Sequence, residues 1–392
     1  MLPLIGITVV SLEQAIAAPF ATRHLADLGA RVIKVERPGT GDFARGYDET
    51  VHGLSSHFIW CNRSKESLTL DLKSSEGREI LDKLLEKADV FIHNLAPGAV
   101  DRLGFGAREL QKKFPRLIVC GISGYGTTGP YANKKAYDLL IQCEAGLLSI
   151  TGTPDTPCKV GISVADISAG MYAFSGILTA LLHRQSTGKG AVLEISMLEA
   201  LGEWMGFPMY YTAYGKVELE RTGSSHASIY PYGAFRGSDG KQVFLGIQNE
   251  REWARFCAEV LKKPDLADDP RFQSNSMRMQ NKEVLQEIIE NIFSAIPSDT
   301  IIGRLDAAKI ANARLNTMMD FFEHPQLKER NRWREVSTPN GPVRALVPPA
   351  MPEGLEPVMS PVPEVGQHTE QILQELGYDS ERIRHLKLRQ IV

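Results

Sequence analysis

This 392-residue chain is poor in the features that mark several large classes of protein. Its five cysteines (Cys61, Cys120, Cys143, Cys158, Cys257) are odd in number, scattered and without a CxxC pair. That excludes a disulfide framework and a structural zinc site, and suits a reducing cytoplasm. Nine histidines include no HxxxH or HExxH spacing, so a metal site has no support. Charge of one sign is not in excess: the net charge is −3, which points to neither nucleic acid nor an anionic membrane. Long apolar runs are missing too. The opening MLPLIGITVVSL is too short to span a bilayer and lacks a basic n-region and a cleavage site. No later run reaches spanning length without a charge. Hydrophobic content of 43% and charged content of 23% are those of an ordinary globular chain, long enough for two or three domains.

What is present is a strand-helix alternation. Ile5 to Leu12 reads as a strand and Phe20 to Leu28 as a helix closed by Gly29. Strands follow at Arg31 to Glu36, Asp89 to His93, Leu117 to Ile122 and Ala191 to Ser196. Ser75 to Ala88 has helical periodicity, Ala107 to Phe114 is a short helix, and Met197 to Gly215 reads as helical. This predicts an α/β fold whose large, Rossmann-like domain holds a mainly parallel sheet over residues 1–200. A linker is expected over 201–224 and a smaller α+β domain over 225–320. That domain opens on a hairpin around Ser238-Asp239-Gly240, and Ser298 caps one of its helices. Residues 321–392 are expected to return to the large domain, with Pro339 to Pro363 extended and Thr369 to Gly377 helical.

Two loops imitate dinucleotide sites and fail their context. The loop after the first strand, Glu13 to Pro19, has no glycine to let a pyrophosphate approach, although Glu36 ends the second strand where a ribose-binding acid would sit. Gly124 to Gly129 matches GxGxxG, but Pro130 follows and no apolar helix opens there. It reads as a glycine-rich active-site loop or as a turn.

Asp166 is the most informative residue. An extended stretch from Val160 ends there and a small-residue helix, Ile167 to Arg184, begins, with Ala169, Gly170, Ala173 and Gly176 allowing close packing. On local pattern an Asp N-cap explains it. An ionised, partly desolvated carboxylate at that place also has the makings of a nucleophile. Arg37, Lys73, Arg102 and Lys135 follow strand ends or loops, and Asn94 directly follows a strand. Each cation alone is ordinary surface charge. At the carboxyl edge of a parallel sheet a ring of them suits a polyanion.

These stretches resemble one family. LGARVIKVERPGTGDFAR within Gly6 to Arg45, Asn62 to Lys65, Leu70 to Lys73, Asn94 to Gly98, Asp101 to Gly104, Ser123 to Pro130, Ala136 to Asp138, the Asp166 segment and Gly188 to Gly190 are similar to class III CoA-transferases of the formyl-CoA transferase type. The likeness is nearly continuous over residues 1–200 and looser beyond, where it rests on His226, Tyr230 to Tyr232 and Asp239-Gly240. It implies that Asp166 is catalytic and that Arg37, Lys73, Asn94, Arg102 and Lys135 bind coenzyme A. It also implies that Tyr47 and Tyr137 lie near the acyl group, and that two ring-shaped chains interlock as a homodimer. Three departures separate the chain from formyl-transferring members: Ile16 replaces a Gln, Tyr47 replaces a Trp, and no glycine run is visible in 220–260.

The overall likeness leans to the branch that uses succinyl-CoA and a small dicarboxylate such as itaconate, mesaconate, citramalate or glutarate. The reaction expected is transfer of CoA through an aspartyl-CoA thioester, with coenzyme A as substrate and no other cofactor. Arg45, Arg221 and His226 are the candidates for a dicarboxylate's distal group; a structural role in its SSHAS loop is the alternative for His226. Two other readings stay open. An α-methylacyl-CoA racemase resembles the chain, but Tyr137 stands where racemases place a proton-shuttling His, and Tyr titrates near 10. A non-catalytic CoA-binding protein is the third.

Overall fold

The computed structural model describes residues 1–392. The chain divides into two compact units, one formed by 1–147, 160–209 and 329–392, the other by 148–159 and 210–328.

The first unit is built on six parallel strands, β1 (Thr8–Leu12), β2 (Arg31–Glu36), β3 (Lys65–Thr69), β4 (Val90–His93), β5 (Ile118–Ser123) and β6 (Val192–Ser196). Their order across the sheet is β3-β2-β1-β4-β5-β6. Neighbours run in parallel register, Val9 opposite Val32 and Val90, and Phe91 opposite Val119. Strand order reverses between β1 and β4, which opens a crevice above the carboxyl ends of those strands. Side-chain alternation divides the core. Val9, Ile92 and Ile118 face a layer holding Leu25, Ala169, Ala173 and Ile177, whereas Val10, Ile33 and Phe91 face Leu81, Leu85, Leu373 and Ile383. β3 was not anticipated: KESLT carries charges at both its first positions, and Lys65 is buried by pairing rather than by apolarity.

The helix Val164–Thr187 is long and apolar enough to cross a membrane. Here it packs against the helix Ala17–Asp27 and strands β5 and β6. Gly170 permits that approach: a Cβ there would stand 2.7 Å from the Ala17 carbonyl oxygen and 3.1 Å from Phe20. The helix starts at Val164, earlier than the pattern suggests, so Asp166 is its third residue and not its cap. The expected extended return after Pro339 is also corrected. Trp333–Thr338 and Gly341–Leu346 pair as an antiparallel hairpin, and Pro339-Asn340 makes its turn. A last helix, Ser380–Leu388, went unread because its charges hide a two-residue apolar stripe, Ile383 and Leu386.

The second unit holds an antiparallel sheet of Tyr232–Arg236, Gln242–Gly246 and Ala311–Arg314. Trp253, Phe256, Phe272 and Phe293 pack together in its core. Ser298 is not a cap: Pro297 holds that position, and the Ser298 hydroxyl donates to Asp239 at 2.7 Å. Residues 148–159 join this unit, although the sequence put them within the large domain. Arg221 fastens them, donating to the carbonyls of Ser149, Thr153 and Pro154.

Candidate active site

Above the carboxyl edge of β1 to β4 lies a cleft of about 900 Å³. Segments following four strands line it: Gln14 after β1, Arg37 to Gly39 after β2, Asp71 to Lys73 after β3, and Leu95 and Ala96 after β4, with Arg102 nearby. Arg37, Lys73 and Arg102 therefore share one cavity. All three are exposed, and none meets a carboxylate; Arg102 reaches only the Pro97 carbonyl, at 3.5 Å. Unpaired cations over a parallel sheet's switch point suit a phosphorylated ligand. Lys135 does not line this cleft. It is exposed on the loop after β5 and has no ionic partner. The side chain of Asn94 is committed elsewhere: its amide accepts the Gln14 N–H at 2.9 Å and donates to the Gln14 carbonyl at 2.8 Å.

Gln14, Ala15 and Ile16 form an elbow between β1 and the first helix. Ala15 has φ +60°, a left-handed conformation that costs a residue with a Cβ. Neighbours hold it there. Asn94 clamps Gln14, Asp42 Oδ1 accepts the Ala15 N–H at 3.1 Å, and Gln14 Oε1 accepts the Phe43 N–H at 3.2 Å. Asp42 is itself fixed by Lys34 at 2.7 Å, in a fully buried network where Glu13 meets Lys34 at 3.3 Å and Lys65 at 2.7 Å. Burial pulls the Lys65 ammonium down to about 8, against the opposing Glu13 charge. Ile16, buried, forms a cluster with Phe20 and Cys61 against which Ile167 packs. The elbow thus runs from the cation-lined cleft to the residue beside Asp166.

Asp166 sits in the first turn of the long helix with its carboxylate unbonded. Asp138 supplies the cap: its Oδ1 accepts the Ala165 N–H at 2.7 Å and the Asp166 N–H at 3.3 Å. Asp138 is steadied by Gln142, whose amide donates to Oδ2 at 2.7 Å while its oxygen accepts the Val160 N–H at 3.0 Å. Burial first, and the Asp138 charge second, push the Asp166 carboxyl up to about 7. A carboxylate raised this far is half ionised near neutrality and more nucleophilic than an ordinary one.

Tyr47 and Tyr137 are both exposed. Burial raises the Tyr47 hydroxyl, with smaller contributions from the nearby Asp42, Asp166 and Tyr137, which places these groups in one another's field. Of the glycine-rich loop, Gly126 gives its N–H to Ser123 Oγ and Thr127 gives both its N–H and hydroxyl to Glu194. Those two amides are occupied and do not offer an oxyanion hole.

The three candidates for a distal carboxylate are differently placed. Arg45 forms a two-pronged contact with Glu36, at 2.9 and 2.8 Å, donates to the Pro363 carbonyl, and lies 3.7 Å over the Phe58 ring. Its fork holds the buried Glu36 down to about 2, against burial. Glu36 also accepts the Ser67 hydroxyl at 2.5 Å and the Asp42 N–H at 2.9 Å. Arg221 spends its guanidinium on three carbonyls of the second unit. His226 stacks on Tyr232 with centroids 5.1 Å apart, and its Nδ1 accepts the Ser228 N–H. These are structural contacts within their own segments.

A cation-lined cleft at the carboxyl edge of a parallel sheet, with a desolvated carboxylate in the same unit, suits an enzyme that takes a phosphorylated substrate. The chain belongs to CoA-transferase family III, whose family model matches residues 4–369. It is 34% identical over 391 residues to the succinyl-CoA:glutarate CoA-transferase of Mus musculus, a match covering 98% of this chain and 89% of that protein. It is 32% identical to the succinyl-CoA:mesaconate CoA-transferase of Haloarcula marismortui, covering 95% and 96%. With the acetyl-CoA:oxalate CoA-transferase of Acetobacter aceti it shares 37% over 348 residues, 87% and 89% of the two chains. The crystal structure of a CAIB/BAIF family protein from Brucella suis superposes with a TM-score of 0.86 at 32% identity, covering 96% of this chain and 99% of that one. The chain is a class III CoA-transferase.

Proposed function

We propose that the enzyme moves CoA from a succinyl-type acyl-CoA to a small dicarboxylic acid of the glutarate, mesaconate or itaconate kind, with Asp166 as nucleophile. What supports this reading above all is the Asp166 carboxylate, unbonded, desolvated and raised to about 7. Its oxygen attacks the thioester carbonyl, the C–S bond breaks, and CoA leaves as thiolate from a mixed anhydride. The thiolate then attacks the Asp166 carbonyl and expels the donor's free acid, leaving an Asp166–CoA thioester. The acceptor carboxylate enters and the two steps run in reverse. Covalent steps of similar energy replace direct exchange. Arg37, Lys73 and Arg102 hold the nucleotide end, and Ile16 presents an apolar wall beside Asp166. Lys135 reaches the same ligand from its own loop. Asn94 acts through Gln14.

The racemase reading is not favoured. The relatives named above are CoA-transferases, and a Tyr stands at 137 where racemases place a His. An interlocked homodimer in the cytoplasm completes the proposal. Exposed Met171 and Leu182 on the long helix are apolar surface that a second copy covers. Five free cysteines agree with a reducing compartment.

The test is an acceptor screen with succinyl-CoA, including oxalate, C4–C5 diacids and their monoacid counterparts, read by mass spectrometry of the thioesters formed. Trapping with hydroxylamine or borohydride should label the Asp166 peptide. Label elsewhere, or full activity in Asp166→Ala, overturns the reading.

A further inference from the structure

We propose that His57 binds the far carboxylate of the dicarboxylic acid, and of a succinyl-type donor, while Asp48 orients its ring. This rests on the function proposed above and names the group that confers its diacid preference. A diacid held in a desolvated pocket needs a donor for its second carboxylate, since an unpaired buried charge is costly. The arginines that sequence alone would nominate are occupied, Arg45 by Glu36 and Arg221 by three carbonyls.

His57 differs from both. Its side chain is 43% exposed, and Nδ1 lies 3.4 Å from Asp48 Oδ2, so Nε2 is left without a partner. Asp48 is an unusually fixed orienting group. It accepts the Ser56 N–H and hydroxyl, at 3.1 and 2.8 Å, and the Thr50 N–H and hydroxyl, at 3.0 and 2.6 Å. A carboxylate at Nδ1 fixes the ring's orientation and leaves Nε2 to meet a ligand.

The ring also stands in the right neighbourhood. It meets Tyr47 edge-on, with centroids 5.5 Å apart. Tyr47 closes the turn Phe43–Gly46, whose Phe43 N–H is taken by Gln14 and whose capping Asp42 holds Ala15. The same elbow continues to Ile16, whose cluster with Phe20 and Cys61 packs against Ile167 beside Asp166. Nucleophile, apolar wall, phenol and imidazole therefore follow one another along a connected set of contacts. That sequence matches an acid whose first carboxylate reacts, whose methylenes need an apolar wall, and whose second carboxylate needs a hydrogen-bond donor.

The experiment compares kcat/KM for glutarate with that for valerate, the five-carbon acid that ends in methyl, using succinyl-CoA as donor. The glutarate-to-valerate ratio should fall about 10-fold or more in His57→Ala, as expected for loss of a charge-assisted contact. His57→Lys should retain part of the ratio. Asp48→Asn should lower it less than His57→Ala, and adding it to His57→Ala should change nothing further. The ratio is internal to each variant, so a poorly folding His57→Ala is replaced by His57→Gln without losing the readout. An unchanged ratio, or equal loss on both acids, overturns the assignment to His57. A wild-type enzyme that transfers CoA to no diacid overturns the proposed function and this inference with it; one that transfers while His57→Ala keeps the ratio overturns this inference alone.

Discussion

Asp138 and Asp166 are joined through one peptide N–H: the cap of the long helix, Asp138 Oδ1, accepts the backbone amide of the residue whose carboxyl it repels. The arrangement anchors Asp166 in the first helical turn and discourages its ionisation at once. Burial is the larger influence and the Asp138 charge the smaller.

On the proposed mechanism the attacking species is the Asp166 carboxylate, so the rate of aspartyl-CoA formation should rise with pH through about 7. Asp138→Asn removes the like charge but keeps a capping oxygen. It should move the midpoint to lower pH, by only part of the full shift because burial persists. Single-turnover rates measured from pH 5 to 9 decide this. A midpoint that stays or moves upward contradicts the account.

The same carboxylate should weaken the fold. Its folded value, about 7, is above the ordinary value near 3.9, so the unfolded chain ionises first as pH rises. The penalty begins above pH 4, grows to about pH 7 and is constant beyond it. Asp166→Asn should stabilise the protein at pH 8, by roughly 1–3 kcal/mol after allowing for partial exposure, and have little effect at pH 4.5. Urea unfolding at the two pH values supplies the comparison.

The parallel core was legible because apolar strands such as Val90–His93 and Ile118–Ser123 alternate with periodic helices. Asp166 and three of the cleft's cations were legible because motif and strand-end position agree. The supports were not. Asp138 precedes Asp166 by 28 residues, and nothing local ties a cap to a helix that far along. Lys34 and Lys65 are buried through partners contributed by other segments, a pairing invisible to periodicity. Arg45 and Arg221 looked available because a sequence shows a side chain's charge but not its existing contacts. His57 and Asp48 were not legible, since a Ser-His pair opening the short helix Ser56–Asn62 carries no pattern of its own.

Coenzyme A affinity should depend on the three cleft cations. Arg37→Ala, Lys73→Ala and Arg102→Ala each remove an unpaired charge and should weaken CoA binding by up to about 1.5–3 kcal/mol. Calorimetric titration with CoA at two salt concentrations tests this. The loss should shrink as salt rises, because exposed charges are screened. Three unaltered affinities put the nucleotide elsewhere.

The elbow makes the last expectation. Asp42 helps hold the left-handed backbone of Ala15 by taking its N–H, and Asp42 is held at 2.7 Å by Lys34, itself wholly buried. Lys34→Met preserves the bulk of the side chain and removes its charge. Glu13 then keeps Lys65, but Asp42 is left as a buried carboxylate with no cation. Breaking a buried pair from one side costs about 3–5 kcal/mol, so urea unfolding should show a loss of that order. Adding Asp42→Asn should recover part of it, because the orphaned charge goes while an acceptor for the Ala15 N–H stays. Activity should not follow stability. Both variants loosen the segment linking the cleft to Asp166, so the double variant should regain stability while turnover stays low. Full recovery of turnover in the double variant would mean that the buried network serves the fold alone and that the strained elbow is not what aligns the thioester with Asp166.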